Sequence, residues 1–569
     1  MIPNDDPVLK KQLAKIWQQS EERLTKKAAT AGHAKYLDLT KAPIQLEALK
    51  IIDESRAKSV NAVLIEHKGH LGALAAKDPN SEEVKQLIKE LGMQGITKIN
   101  VFEVSEESFE YAISFYQFIP KDVVGINTRV DVSPEKVVEL QKELTSLGKV
   151  DAALQKLFHQ EIATGEILNV VLAGGLTNRA SDIHFETSQG GAARLRYRID
   201  GELQTVTDNI SKDIYHLILL RIKLLCNLRL NVSNVAQDGR FTIALGDLQI
   251  ELRVAIAPSE FGEAIVMRIL DPRAINITLP QLGLRPDDLA IVEEELRAPN
   301  GMILNTGPTG SGKTTTLYAF LRTLATPEVK IITIEDPIEY HLAGIEQTQT
   351  DEAAGYTFAN GLRSMMRQDP DMILVGEIRD KETVDIALQA ALTGHLVFST
   401  LHTNSSSGVI PRMLDLGAQG VSIGPALNLI IAQRLVRKLC EKCKVAKPMD
   451  EELKKKVDAF LKRLPERVDK KQYEIVTSVC EKAQPAKDAT ECEGCHGSGY
   501  HGRSGIYELL QVNDSFEVLI QKHAGDGEIK EFSRKQGIVF LQEDGILRVL
   551  SGQTSFDEVE SVTGPINWG

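Results

Sequence analysis

The sequence predicts a multidomain α/β protein organised around a parallel β-sheet with helices on both faces. Short, mostly apolar runs at 302–304, 331–334, 372–375 and 396–400 have the composition of strands buried on both sides. They alternate with amphipathic stretches such as 382–392, the order that builds parallel sheets through helical crossovers. The chain has 569 residues, 42% hydrophobic and 25% charged, as expected of a water-soluble protein of about three to five domains.

In chain order, residues 1 to about 30 are Lys- and Glu-rich and read as a charged helix. A compact α/β segment comes next, from Tyr36 to about 120, mixing strand-like runs (62–65, 99–102) with a helix-like one (82–91). Nothing in it has catalytic spacing, so docking is its expected role. Regularly spaced Val138, Leu140, Leu144 and Leu147 make 130–159 a helical connector.

From about 160 to 270, Arg194, Arg196 and Arg198 alternate with Leu195, Tyr197 and Ile199, which places the arginines on one face of a strand. That face reads as solvated. Arg253 and Arg268 stand inside mostly apolar strands, where a lone cation calls for an anionic partner; a nucleotide γ-phosphate would serve. His184 beside Asp182 reads as a structural hydrogen bond, since no second cluster of metal ligands lies near it.

The segment Gly307-Pro308-Thr309-Gly310-Ser311-Gly312-Lys313-Thr314 fits the phosphate-binding pattern G-x-x-x-x-G-K-[ST]. An apolar run precedes it and helical spacing begins at Thr315, so the glycines turn a buried strand into a helix. Backbone N–H groups and the helix dipole then favour an anion. Lys313 is expected to reach the β- and γ-phosphates of ATP, and the Thr314 hydroxyl to hold Mg²⁺. Glu335 and Glu339, Glu377 and His402 each come after an apolar run, at the edge where such sheets bind ligands.

Cys440-x-x-Cys443 and Cys492-x-x-Cys495 are two C-x-x-C pairs, a tetrahedral Zn²⁺ signal. Four cysteines leave no open coordination position, so the metal is expected to be structural. The stretch between them, 444–491, is 48 residues and carries an amphipathic pattern at Leu453, Val457, Phe460, Leu461 and Leu464. Cys226 sits in an apolar run and reads as core. No apolar stretch approaches the roughly 18 residues that span a bilayer, and the acidic N-terminus has no secretory pattern, so the cytoplasm is the expected location. A net charge of −13 argues against broad nucleic-acid binding.

These motifs resemble, over almost the whole chain, the secretion ATPases that drive type II secretion and type IV pilus assembly. The match lies in 367–380 (Arg367-Gln368-Asp369-Pro370-Asp371 through Gly376-Glu377-Ile378-Arg379-Asp380), in 334–339, in Thr393-Gly394-His395 through His402, and in Gln433-Arg434-Leu435-Val436-Arg437. The resemblance implies a homo-hexameric motor that meets an inner-membrane platform protein through its N-terminal domain, with no direct nucleic-acid partner. It implies an N-terminal docking domain over 1–125, a helical linker over 126–159, a PAS-like domain over 160–275, and a RecA-like ATPase domain over 276–569 with a zinc subdomain at 440–495.

By the same resemblance Glu377 polarises the attacking water, Glu335 and Glu339 assist with Mg²⁺ and water, and His402, Arg253 and Arg268 join the catalytic set. Thr315, Arg363, Arg367, Arg379 and Arg412 are implied near phosphates or subunit boundaries. Gly376 stands where ordinary P-loop ATPases carry an Asp, a departure the family shares. Arg-, Leu- and Gly-rich cyclic di-GMP motifs are not found in 1–120, and that ligand is not expected. Two alternatives have distinct signatures. A RecA-like nucleic-acid motor would carry a basic, aromatic-lined channel, and a non-hydrolysing scaffold would have lost carboxylates that are intact here.

Overall fold

A computed structural model describes residues 35–42, 44–118, 134–159, 164–245, 248–483, 492, 494–495 and 497–568; the helix expected over 1–30 lies outside them. The chain divides into two units, the first reaching residue 269 apart from 200–202, the second comprising 200–202 and 270–569.

The first unit begins with a four-stranded sheet of β1 (Lys35–Tyr36), β2 (Ala62–Lys68), β3 (Leu71–Ala76) and β4 (Lys98–Glu103), ordered β1-β4-β3-β2. Helices Glu54–Val60, Glu82–Met93 and Glu106–Ser114 pack with it. Each starts where Asp53, Ser81 or Ser105 accepts a backbone N–H three residues on, with Glu in the first turn, which satisfies free N–H groups and suits the helix dipole. Val63, Leu64, Leu74, Leu87 and Phe109 form the core.

The rest of this unit is a six-stranded sheet of β5 (Ala180–Thr187), β6 (Ala193–Ile199), β7 (Glu202–Ile210), β8 (Gln237–Leu245), β9 (Leu248–Ser259) and β10 (Gly262–Leu270), ordered β7-β6-β5-β10-β9-β8. Ile183, Phe185, Leu195, Tyr197, Leu252 and Met267 bury one face under the helix Thr164–Thr177. The helix Leu147–Phe158 packs closely on it because Gly174 has no side chain: a Cβ there would stand 2.7 Å from Val150 Cγ2. The Tyr197 hydroxyl donates to the Val171 carbonyl at 2.6 Å.

The stretch expected as a connector, 126–159, differs from that expectation. Its described part forms helices Pro134–Glu143 and Leu147–Phe158, and Val137, Leu144, Val150 and Leu154 belong to the core of the six-stranded sheet. The regular apolar spacing marks a face that is covered by its own module.

The second unit holds a seven-stranded sheet of β11 (Gly301–Thr306), β12 (Ile331–Glu335), β13 (Glu346–Gln349), β14 (Met372–Val375), β15 (Leu396–Leu401), β16 (Leu427–Leu439) and, later in the chain, Tyr500–Gln511. The order is β13-β12-β14-β15-β11-β16 and then Tyr500–Gln511, whose pairing with β16 is antiparallel while the others are parallel. Alternate residues serve two cores: Met302, Leu304, Ile332, Ile373 and Val397 on one face, Ile303, Ile331, Leu374 and Phe398 on the other. Burial on both faces is why these strands read as mostly apolar runs with no alternation of polar residues.

Between β16 and its antiparallel partner lies an insertion with a two-stranded sheet, β17 (Val445–Pro448) and β18 (Ser478–Glu481), and a helix, Glu451–Arg463. With these named, the strand Tyr500–Gln511 is β19. Val457, Phe460 and Leu461 of the insertion share a core with Ile546, Leu547, Val549 and Val559 of the C-terminal helices. So short an insertion cannot bury a sufficient core alone. No helix among the described residues is long and apolar enough to cross a membrane.

A buried ion cluster ties the second unit together. Arg285 meets Asp544 at 2.6 Å, Asp288 at 2.6 Å and Asp287 at 3.1 Å. Arg467, from the insertion, reaches Asp287 and Asp288 at 2.6 and 2.7 Å. Removing one partner of such a cluster leaves an uncompensated charge, which costs about 3–5 kcal/mol. Arg285→Ala is therefore expected to lower the unit's stability by about that much, read from its urea-unfolding midpoint; an unchanged midpoint would show that Asp544 does not depend on this cation.

Candidate active site and metal centre

The strands β11, β12, β14 and β15 are parallel neighbours, so the loops leaving their C-terminal ends gather at one edge of the sheet. After β11 the chain enters 307–312 and then the helix Lys313–Leu324. Gly307 and Gly312 take positive φ angles of 153° and 91°. A Cβ at Gly307 would lie 2.4 Å from the Gln433 carbonyl oxygen, and one at Gly312 would lie 2.9 Å from Gln433 Nε2. The loop thus needs glycine at both ends for conformation and for space.

Lys313 Nζ donates to the Gly307 and Pro308 carbonyls at 2.8 and 3.1 Å, folding over its own loop. Burial pulls its pKa down, against the upward pull of the Glu377 charge. Thr309, Gly310 and Thr314 are exposed, Thr315 is half-buried, and the Ser311 hydroxyl is buried without a hydrogen-bond partner.

Glu377 comes just after β14 and is 15% exposed. One oxygen pairs with Arg379, and the other lies 3.3 Å from His402 Nε2. The hydrogen bond to Glu377 raises the Arg379 pKa, while Arg379 also approaches Asp336 at 3.4 Å. A Cβ on Gly376 would stand 3.2 Å from the Ile334 carbonyl oxygen and 3.3 Å from Glu335 Cα, so the backbone of β12 leaves little room for a side chain at this position. His402 is held through its loop: the Thr306 hydroxyl, at the root of the phosphate loop, accepts the Thr403 N–H at 2.9 Å and lies 2.8 Å from the Thr403 hydroxyl.

Glu335, expected to assist with Mg²⁺ and water, is held by hydrogen bonds within the protein. It is 4% exposed, and its carboxylate accepts from the Tyr318 hydroxyl, from Thr333 at 2.6 Å and from Gln347 at 3.1 Å. These donors engage both oxygens, because Tyr318 descends from the phosphate-loop helix onto the end of β12. Glu339 is half-buried in the next loop.

The other arginines scatter. Arg363 pairs with Glu382 and with Asn360 at 3.2 Å, Arg367 donates to the Arg363 carbonyl at 3.0 Å, and Arg412 is half-buried on the helix Val409–Asp415. Arg253 and Arg268 lie in the first unit. The expectation that they are cations buried in apolar strands is corrected: Leu252, Val254, Met267 and Ile269 point into the core, and alternation turns the arginines outward. Arg268 is 56% exposed and meets Asp182 at 3.0 Å; Arg253 meets Glu251 at 3.6 Å. With Asp238 and Arg240 they line a cavity of about 510 Å³ on that face. Arg194, Arg196 and Arg198 share the outward side, opposite buried Leu195 and Tyr197. His184 Nε2 has no hydrogen-bond partner, contrary to the expected structural bond, because its strand neighbours across the sheet are Val266 and Arg196.

The four cysteines converge. Their sulfurs lie within 4.8 Å of one another, with Cys440 and Cys492 at 3.8 Å and Cys443 and Cys495 at 3.5 Å. Tetrahedral Zn–S bonds of about 2.3 Å imply sulfur separations of about 3.8 Å. The Gly499 N–H donates to Cys495 Sγ at 3.3 Å, and the Gly494 backbone N–H leads the effects that pull Cys492 down to about 7. Burial pushes Cys440 and Cys443 up. Four thiols in this geometry fit a closed, structural thiolate centre. Cys226 is buried, as expected of a core residue.

In the sequence Gln433 stands out only as part of a motif. Its Oε1 accepts from Asn305 Nδ2 and from the Thr316 hydroxyl, each at 2.9 Å, bracing the floor of the phosphate loop. The available signal was a polar residue inside the apolar strand 427–436. Tyr318 and the Thr306–Thr403 pair gave no comparable signal, since their partners are distant in sequence.

The family described as Type II/IV secretion system protein matches residues 160–561. Type II secretion system protein E of Pseudomonas aeruginosa is 41% identical over 398 residues, 70% of this chain and 75% of that protein. The type IV pilus assembly ATPase PilB of Myxococcus xanthus is 33% identical over 558 residues, 97% of this chain and 93% of that protein. The X-ray structure of the Yersinia pseudotuberculosis ATPase DotB aligns with a TM-score of 0.51 at 20% identity, covering 71% of this chain and 94% of that one, a likeness of fold. A phosphate loop opening a helix beside the Glu377–His402 pair, in a chain that aligns with these relatives over most of its length, makes this protein an ATPase of the Type II/IV secretion system protein family.

Proposed function

We propose that this ATPase is a cytoplasmic, homo-hexameric motor that hydrolyses ATP to power assembly of a type IV pilus or a type II secretion pseudopilus, docking on an inner-membrane platform protein through the N-terminal part of its first unit. The carrying observation is Glu377, a carboxylate just beyond β14, whose charge acts on Lys313 and which His402 meets at 3.3 Å. The relatives named for type II secretion and for type IV pilus assembly support the process, the latter aligning with 97% of this chain and 93% of its own length.

In this reading the N–H groups of 307–312 and Lys313 bind the phosphates, and Thr314 and Thr315 stand at the first turn of the helix, where Thr314 would hold Mg²⁺. Glu377 orients and polarises water, with His402 fixing the carboxylate. Arg379 holds Glu377 and is released when nucleotide arrives. Glu339 assists from the loop after β12, and Glu335 acts through Tyr318. Arg253 and Arg268 supply positive charge that stabilises the transferring phosphoryl group, and Arg363, Arg367 and Arg412 serve at subunit boundaries. Cys440, Cys443, Cys492 and Cys495 hold a structural Zn²⁺.

Glu377→Gln is expected to bind ATP normally and lose hydrolysis by about 10²-fold or more, whereas Lys313→Ala loses both, measured by phosphate release and nucleotide titration. Wild-type turnover by Glu377→Gln would remove Glu377 from its role. Arg253→Ala and Arg268→Ala are each expected to lower hydrolysis by roughly 10³-fold, the scale of a phosphate-facing arginine; normal turnover by both as hexamers would leave them as structural partners of Glu251 and Asp182. Metal analysis of protein prepared under reducing conditions without chelators is expected to find about one Zn²⁺ per chain, lost in Cys440→Ser while nucleotide binding persists. A metal-free wild-type protein would end the zinc assignment.

A further inference from the structure

Glu508 lies in the middle of β19, between Tyr507 and Leu509, and is 3% exposed. A carboxylate in so apolar a strand carries a large desolvation cost unless donors surround it. Here one oxygen accepts the Ser406 backbone N–H at 2.9 Å and the Ser406 hydroxyl at 2.5 Å. The other accepts the Leu541 N–H at 3.2 Å, at the first residue of the helix Leu541–Leu550, where the helix dipole favours an anion. Burial holds the Glu508 pKa above the usual carboxylate value, and these donors offset part of that rise.

Ser406 belongs to the same short loop as His402, between β15 and the helix Val409–Asp415. The His402 side chain is 53% exposed, so packing does not orient the imidazole; the backbone of its loop does. That loop is tied in three places. Thr403 is bonded to Thr306 at the root of the phosphate loop. Asn404 accepts from Arg434 at 3.1 Å, an exposed contact. Ser406, itself 0% exposed, is bonded to Glu508. Of these ties, the one to Glu508 is buried and carries charge, and hydrogen bonds to charged groups are the stronger kind.

We infer that Glu508 is a positioning residue for ATP hydrolysis: it grips Ser406 so that the loop presents His402 to Glu377. The inference rests on the roles proposed above for Glu377 and His402. It also gives the C-terminal helix Leu541–Leu550 a mechanical connection to the catalytic edge, since Glu508 spans the N-terminus of that helix and the histidine loop.

Glu508→Gln keeps size and shape, but its NH₂ group must face either Ser406 or the Leu541 N–H, and a donor there meets another donor. The expected result for the full-length protein is a fall in kcat of roughly 10- to 100-fold, the scale of a misplaced catalytic group, with KM for ATP and nucleotide affinity within about twofold of wild type. Ser406→Ala, which removes the hydroxyl and keeps the N–H, is expected to fall in the same direction by less. The deciding measurement is coupling: His402→Ala combined with Glu508→Gln is expected to be no slower than His402→Ala alone. Multiplicative losses would overturn the inference, as would an unchanged kcat in Glu508→Gln. If Glu508→Gln does not fold, the Ser406→Ala and His402→Ala pair decides by the same criterion. If His402→Ala alone turns over at the wild-type rate, the reading of His402 has failed, and the positioning role falls with it; a slow His402→Ala with multiplicative coupling rejects the positioning role alone.

Discussion

The phosphate loop rests on one buried side chain. Gln433 enters from β16, the strand beside β11, and its amide oxygen takes hydrogen bonds from Asn305 and Thr316 while its main-chain carbonyl closes against Gly307. A buried amide is costly where its polar atoms go unmet, and the Gln433 oxygen is met from strand and helix at once, which ties their mutual arrangement. The glycines at 307 and 312 are consequences of that closeness as much as of turn conformation. The same strand runs on to Cys440. Along the way the Arg437 backbone N–H donates to Glu558 at 2.9 Å, its carbonyl accepts from Thr554 at 2.8 Å, and its guanidinium lies 4.3 Å from the Tyr500 ring centre. One strand therefore connects the nucleotide loop, the tetracysteine centre and the C-terminal helices.

Carboxylates in the second unit fall into two physical classes. Glu377 stands at the open edge, balanced by Arg379 and His402, and keeps access to whatever occupies the loop. Glu335, Glu508 and Asp544 are buried, and each is surrounded by donors: Tyr318, Thr333 and Gln347 for the first, Ser406 and Leu541 for the second, Arg285 and the Tyr507 N–H for the third. An unpaired charge at such depth would be strongly unfavourable, so the buried carboxylates act as joints between elements far apart in the chain. Glu377, partly accessible at the sheet edge, is the one proposed above for the chemistry.

The insertion between β16 and β19 shows how a short segment is kept folded. Its own apolar residues are completed by the C-terminal helices, with Trp568 stacked edge-on to Phe460 and Phe556 at ring-centre distances of 6.5 and 5.7 Å. Its two ends are brought together at the four sulfurs, next to the ends of β16 and β19. The four sulfurs meet just beyond that end of the hairpin, where the pairing of β16 with β19 shifts register between Arg437 and Leu439.

Which residues gather at one edge of the seven-stranded sheet was largely legible in the amino-acid order. Apolar runs announced strands buried on both faces, the phosphate-loop pattern announced its own turn, and C-x-x-C pairs announced convergent sulfurs, because each of these is a short-range pattern whose meaning depends on nearby residues. Glu377 and His402 were placed by the rule that parallel strands end together. What only the tertiary structure decided is which residues meet across long separations. Gln433 under Gly307, Tyr318 on Glu335, Glu508 on Ser406 and the apolar face of 134–158 in the core of the six-stranded sheet all depend on strand order, and no local pattern encodes strand order. The arginines make the same point in reverse: Arg253 and Arg268 sit in apolar sequence, yet side chains alternate along a strand, so a polar residue in an apolar run lies buried or outward according to what covers each face, which the fold alone determines.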